Sequence, residues 1–154
     1  MTRFYDDKSF GAMRQINMAG IADVAVGSAR SAAVVVNRKT MMANVTIKDF
    51  NIEVLAGATC TGTGSMPTEV YTFTLNKSKA GTGALEALGT GTIGTGAQGA
   101  ANGSILDCAV TSGTAAQLAI GDDLIFQANI GTSLGDASVQ VRANVAYVER
   151  YVVD

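Results

Sequence analysis

The feature that most constrains the fold of this chain is a run at residues 137–153, ASVQVRANVAYVERYVV, in which apolar and polar side chains alternate. Successive side chains of a β-strand point to opposite faces, so this alternation predicts a strand with one buried and one wet face. The buried face is formed by Val139, Val141, Ala143, Val145 and Tyr147, and the wet face by Gln140, Arg142 and Asn144. A strand of this length is unusual in a globular domain.

Other segments repeat the same period of two. EVYTFTLNKS at residues 69–78 alternates Tyr71, Phe73 and Leu75 with polar residues, and DLIFQANIG at 123–131 places Leu124, Phe126, Ala128 and Ile130 on one side. In MANVTIKDFNIEVLAG at 42–57 the parity of the apolar residues changes near Lys48 and Asp49, which predicts a β-bulge or corner there.

These patterns predict an all-β protein. Only GALEALG at residues 83–89 has a trace of helical periodicity, and it is too short to form an independent helix. Seven to nine short strands separated by turn residues favour an antiparallel β-sandwich with jelly-roll or Greek-key topology. The 154 residues suit one domain. Residues 1–20 show no clean period and are predicted to be an extended N-terminal arm, and residues 21–154 to be the sandwich.

Composition excludes several classes of function. The chain has no histidine, and its net charge of -2 offers no basic surface for nucleic acid. No apolar run is long enough for a membrane helix. The start MTRFYDDKSF lacks the pattern of a secretory signal, so Cys60 and Cys108 are predicted to be buried thiols of a protein folded in the cytoplasm, with one disulfide as the alternative.

A glycine-rich stretch at residues 81–103, GTGALEALGTGTIGTGAQGAANG, raises the question of phosphate binding. Gly89, Gly91 and Gly94 match the G-x-G-x-x-G pattern, and Asp107 follows at a suitable distance for a ribose contact. That motif requires a helix after the glycines, and the glycines that follow here cannot sustain one. We therefore predict no dinucleotide site and no cofactor.

No residue set predicts catalysis or metal binding. Without histidine, a Ser-His or Cys-His pair is impossible. Ser78 and Lys79 are adjacent and would point to opposite faces of a strand. Besides Asp6 and Asp7, the only paired carboxylates are Asp122 and Asp123. A tight Gly-Asp turn before a strand explains this pair more simply than a catalytic or metal-binding role does. The chain is predicted not to be an enzyme.

The segment from residue 80 to residue 121 carries only two charged residues, Glu86 and Asp107. A surface of small, uncharged residues suits close packing against another protein, because little side-chain entropy is lost there. We expect an ordered loop or sheet edge at a subunit contact and a homo-oligomer, most simply a trimer; a flexible linker remains the alternative.

The chain resembles the small β-sandwich virion proteins of tailed bacteriophages, in particular capsid decoration and minor head proteins. The resemblance covers residues 68–150 and rests on VYTFTLNKS, the Gly/Thr/Ala-rich connection, and AIGDDLIFQANIGTSLGDASVQVRANVAYV. It implies an oligomer on the capsid exterior that reinforces contacts between major capsid proteins, in a particle assembled in the host cytoplasm. The family has no catalytic residues to transfer.

Within this interpretation, the arm is the predicted anchor to a neighbouring subunit, through its apolar residues Phe4, Tyr5, Phe10 and Met13. Two other functions remain open. One is a phage fibre or tail module, and the other is a carbohydrate-binding sandwich. The second would be expected to show exposed aromatic platforms, and the chain has only four tyrosines and five phenylalanines.

Overall fold

A computed structural model describes residues 3–4, 13–24, 33–61, 70–94, 103, 105–130, 136–150 and 152–153. These residues form a 3-10 turn at Gly113–Ala116 and the following strands: β1 (Arg3–Phe4), β2 (Arg14–Val24), β3 (Val34–Thr40), β4 (Val45–Thr61), β5 (Val70–Ser78), β6 (Leu85–Gly94), β7 (Ile105–Cys108), β8 (Gln117–Leu118), β9 (Asp123–Ile130), β10 (Asp136–Glu149) and β11 (Val152–Val153).

Two antiparallel sheets form the sandwich. One has the strand order β2-β10-β4-β7, with β8 added beside the start of β4, and the other has the order β3-β9-β5-β6. With the eight long strands counted along the chain, the two orders are 1-8-3-6 and 2-7-4-5, which is the jelly-roll topology. The prediction of an all-β antiparallel sandwich is confirmed, and of the two topologies the jelly roll is the one observed.

The alternation in the sequence corresponds to the observed core. Val139, Val141, Ala143 and Val145 are buried, and β10 lies between β2 and β4 in the middle of its sheet. Within one sheet, Phe73 of β5 stacks on Phe126 of β9 with ring centroids 5.5 Å apart, and across the sandwich Phe126 meets Phe50 of β4 edge-on at 6.2 Å. The centre of the core is therefore formed by aromatic rings from β4, β5 and β9.

The predicted irregularity in β4 is a β-bulge. Ala146 of β10 pairs with Asp49 and Tyr147 pairs with Ile47, so β4 has one more residue than β10 across this step. The Asp49 carboxylate accepts a hydrogen bond of 2.9 Å from the backbone N–H of Phe50. The extra residue shifts the phase of the strand, so that Ile47 and Phe50 are both buried although their parities differ.

The edges of the two sheets meet on both sides of the sandwich. On one side, β2 approaches β3 so closely that a Cβ on Gly20 would lie 2.5 Å from the carbonyl oxygen of Val36. The side chain of Asn37 donates a 2.7 Å hydrogen bond to the Ala19 carbonyl across the same gap. On the other side, the backbone N–H of Thr111 donates to the Leu88 carbonyl at 2.7 Å. These contacts join the two layers along their borders.

The N-terminal boundary drawn from the sequence needs a correction. Residues 14–20, which were assigned to the arm, lie in β2 and pair with β10 from Arg14, opposite Tyr147, onward. Ile16 and Met18 are buried in the core. The inward residues Gly20 and Ala22 are small, and Ile21 between them is apolar but exposed, so apolar and polar residues do not alternate cleanly in this strand.

Candidate interaction surface at one end of the sandwich

The glycine motif that raised the question of phosphate binding lies within a strand. Gly89 and Gly91 are inside β6, and Gly94 is its last residue. A Cβ on Gly91 would lie 2.4 Å from the Cys108 sulfur, and one on Gly89 would lie 2.9 Å from the Ala109 carbonyl oxygen. These two glycines therefore allow an edge strand to pack closely against the opposite sheet, and they do not form a phosphate-binding loop.

The two adjacent carboxylates have separate structural partners. Asp122 is buried and accepts backbone hydrogen bonds from Ala119 at 2.8 Å and Ala80 at 3.0 Å. The hydroxyl of Thr40 donates to Asp123 at 2.6 Å, and the Arg38 guanidinium also binds it. These hydrogen bonds, with the charge of Arg38, lower the pKa of the Asp123 carboxyl. Asp122 thus stabilises the turn, as the sequence indicated, and Asp123 connects β9 to β3.

The hydrogen bonds of Asp122 contribute to a larger structure that we call the loop plate, formed by residues 41–44, 80–84 and 119–122. The backbone of Met41 exchanges hydrogen bonds with the third segment, donating to the Asp122 carbonyl at 2.8 Å and accepting from Gly121 at 2.9 Å. The Asn44 side chain accepts from the Ile120 N–H at 3.1 Å. The first and third segments are thus joined through their backbones, and the Asp122 side chain joins the second segment to them at Ala80.

Arg150, the residue immediately after β10, connects the plate to the sheet. The backbone N–H of Arg150 donates to the Asn44 carbonyl at 2.7 Å, and its guanidinium donates to the Gln117 side chain at 2.8 Å. A second guanidinium bond, of 3.3 Å, reaches the Val45 carbonyl. The plate is therefore held by the sandwich itself and has little freedom to rearrange.

The loop plate exposes large apolar side chains. Met42 is 85% exposed and Ile120 is 62% exposed, on loops that hydrogen-bond to each other through Met41 and Gly121. Asp122 is the single charged residue of the three segments, and it is buried. Rigid, uncharged surface with exposed apolar side chains is typical of a protein contact.

The amino-acid sequence indicates this surface only in part. Residues 80–84 and 119–121 belong to the weakly charged segment that was predicted to form a subunit contact. Met42 comes from a different part of the chain, and no local pattern connects it with Ile120. Their proximity results from the hydrogen bonds between the loops, which a search for motifs does not detect.

The predicted anchor residues are placed as follows. Met13 is 63% exposed, immediately before β2. Phe4 lies in β1, which pairs with β11. Tyr5 and Phe10 lie outside the described residues. The role of the four residues as anchors stays a prediction.

Cys108 is a free, buried thiol, as predicted. Burial raises its pKa to about 11, and the negative charges of Asp107 and Asp49 add to the effect. A neutral thiol is a poor nucleophile, so this cysteine does not have the properties of a catalytic one. The side chain of Cys60 is outside the described part of the structure.

The buried thiol predicts a loss of stability in alkali. The unfolded thiol ionises near its ordinary pKa of 9.0 and the folded one near 11, so the stabilisation is complete below pH 9.0 and is lost as the pH rises towards 11. Urea unfolding in a Cys60→Ser background should show that the stability difference between this chain and its Cys108→Ala variant shrinks over that range. A difference independent of pH would contradict the prediction.

The described ranges contain neither a cluster of metal ligands nor a membrane-spanning helix. No three His, Cys, Asp or Glu side chains there are grouped as metal ligands. Nor does that part of the chain contain a helix with the length and apolar character needed to span a membrane.

Comparison with known proteins adds one weak likeness. No protein-family model matches the chain, and no curated protein matches it. Among solved structures, it is similar to a chain in the structure of infectious bursal disease virus, Gt strain, with 8% sequence identity and a TM-score of 0.30. The match covers 94% of this chain, which spans 43% of the length of the other. The assignment of the jelly roll rests on the strand order alone.

Proposed function

We propose that this protein is a non-enzymatic structural protein of a tailed-bacteriophage virion. It decorates the exterior of the capsid as a homo-oligomer, most simply a trimer, and stabilises the shell through contacts with the major capsid protein. The particle is assembled in the host cytoplasm. The proposal combines the resemblance in sequence with the interaction surface described above.

The loop plate is the observation that carries this proposal. Its backbone is already fixed by hydrogen bonds to Asp122 and Asn44, so docking there loses little conformational entropy. Burial of a side chain the size of Met42 or Ile120 stabilises a contact by roughly 1.5–3 kcal/mol. Two such side chains on a rigid base are suited to repeated contacts on a lattice.

The chemistry of the described residues favours binding over catalysis. Asp122 and Asp123 are engaged in structural hydrogen bonds, and Cys108 is held as a neutral thiol. A jelly roll by itself does not define a function, since the same fold occurs in capsid and lectin domains. The proposal therefore depends on the interaction surface and not on the fold.

The arm and the plate can serve the same attachment. Arg14 at the start of β2 pairs with Tyr147, near the end of β10, and Arg150 beyond that end bonds to Asn44 of the plate. The start of β2, which follows the predicted arm in the sequence, therefore lies near the plate. We propose that Phe4, Tyr5, Phe10 and Met13 anchor to the same neighbouring subunits that contact Met42 and Ile120.

The test compares two isoleucines of nearly equal exposure. Ile120, on the plate, is 62% exposed, and Ile21, on β2 and outside the weakly charged segment, is 57% exposed. Phage heads lacking the protein are incubated with the unmodified chain, Ile120→Glu or Ile21→Glu, and bound protein is measured after sedimentation. Glutamate at 120 should weaken binding to heads at least about tenfold, because a charge would be buried at the contact. Glutamate at 21 should have little effect.

Two further results decide the assignment. The unmodified chain should bind assembled heads more strongly than dissociated coat subunits, because only the lattice presents all contacts together. Light scattering should give the mass of an oligomer. Equal binding of both variants would overturn the role of the plate, and failure of the unmodified chain to bind heads would overturn the proposed function.

A further inference from the structure

A cleft of about 490 Å³ lies on the outer face of the sheet β3-β9-β5-β6, away from the loop plate. Its volume falls within the range of sites for small ligands. None of the residues that line it is charged: Ala33, Thr72, Thr74, Asn76, Gln127, Ala128 and Asn129.

The floor of the cleft holds two carboxamides in a defined orientation. Asn76 is 6% exposed, and its Nδ2 donates to Gln127 Oε1 at 2.7 Å. Each amide has one donor group and one acceptor atom. The bond fixes the orientation of both amides, so that Asn76 presents Oδ1 as an acceptor and Gln127 presents Nε2 as a donor on the sides that face away from the bond.

Two threonines add hydroxyls beside this pair. Thr72 and Thr74 occupy alternate positions of β5, so both point to the outer face, roughly 7 Å apart. A hydroxyl can both donate and accept. The cleft thus presents neutral hydrogen-bonding side chains at every second position of β5, from Thr72 to Asn76. The opposite face of the same sheet packs on the aromatic core.

The lining discriminates between classes of ligand. A phosphorylated or otherwise anionic ligand would need a basic side chain, and the lining has none. A protein partner would need an apolar or aromatic anchor, which is also missing from it. A neutral polyhydroxyl compound matches the lining, because each of its hydroxyls can donate to one group and accept from another.

We propose that this cleft binds a neutral oligosaccharide. Since no aromatic ring lines it, the affinity of one site should be low, with a dissociation constant of the order of millimolar. Many copies on one particle would raise the overall avidity. The site is separate from the loop plate, and glycan binding does not depend on attachment to a capsid.

The test uses two matched pairs of threonines. Thr72 pairs with Thr92 and Thr74 with Thr90 across β5 and β6, and all four lie on the outer face, but only Thr72 and Thr74 line the cleft. Valine has the shape of threonine without the hydroxyl. The double variants Thr72→Val with Thr74→Val and Thr90→Val with Thr92→Val therefore change composition identically, and thermal unfolding checks that both fold.

Binding is measured on a glycan array and by NMR titration with lactose, maltotriose, cellotriose and chitotriose, with a heparin disaccharide as the anionic comparison. A neutral sugar should shift the resonances of cleft residues. Its dissociation constant should rise at least about tenfold in the 72/74 variant and stay within about twofold in the 90/92 variant. Equal losses in both variants, preference for heparin, binding of coat protein in the cleft, or no neutral glycan bound would each overturn the proposal.

Discussion

Replacing Gly20 with alanine is expected to lower the free energy of unfolding by about 3 kcal/mol. The new Cβ would lie 2.5 Å from the Val36 carbonyl oxygen and 2.7 Å from a Val36 methyl carbon. The oxygen belongs to the backbone of β3 and cannot rotate away, so β2 and β3 must separate. Their separation also weakens the hydrogen bond from Asn37 to the Ala19 carbonyl.

Thermal and urea unfolding measure this effect, which should lower the melting temperature by about 6–12 °C. Ala19→Ser is the matched control, because Ala19 is adjacent to Gly20 in β2 and its side chain is exposed. That change should alter stability by less than about 0.5 kcal/mol. If Gly20→Ala were as stable as the control, the close approach of the two sheet edges would be wrong.

Replacing Gly91 with alanine should cost about 2 kcal/mol, because the added Cβ would lie 2.4 Å from the Cys108 sulfur and 3.0 Å from Ile52 and Leu106 side-chain atoms. The nearest atom is a side-chain sulfur, so the loss is relieved by removing it. In the double variant with Cys108→Ala, the two changes should be less damaging together than the sum of their separate effects, by at least about 0.5 kcal/mol.

A double-mutant cycle of urea unfolding midpoints measures that coupling. Thr90→Val is the control for Gly91, since Thr90 is the preceding residue of β6 and is exposed. Thr90→Val should change the free energy of unfolding very little, both in the unmodified chain and when it is added to Cys108→Ala. Strict additivity of Gly91→Ala and Cys108→Ala would show that β6 does not pack on β7 as described.

The parts of the fold that the sequence predicted are those in which large side chains mark the buried face. Tyr71, Phe73 and Leu75 identify β5 directly, and the change of parity between Ile47 and Phe50 locates the bulge. In such strands the alternation of apolar and polar residues matches the alternation of buried and exposed positions, because the burial of a large apolar side chain is the most stabilising.

The parts that escaped prediction are built from residues without such side chains. In β6 the inward positions include Gly89 and Gly91, and the outward positions include Thr90 and Thr92. The larger side chains at these four positions are therefore on the exposed face, and the pattern does not mark the buried one. Glycine is needed at these positions because another strand lies too close for a side chain, and that closeness is a property of the tertiary structure. The loop plate and the cleft likewise combine distant segments, and no spacing within one segment predicts them.

The position of β10 between β2 and β4 has a consequence for synthesis. Residues 136–149 leave the ribosome long after the two strands that they join, so neither strand can complete its pairing before β10 has emerged. Sheets that depend on such distant pairings fold slowly, because a long loop must close before any contact forms. The nascent chain should therefore remain sensitive to protease and prone to bind chaperones until β10 emerges, and become resistant in one late step.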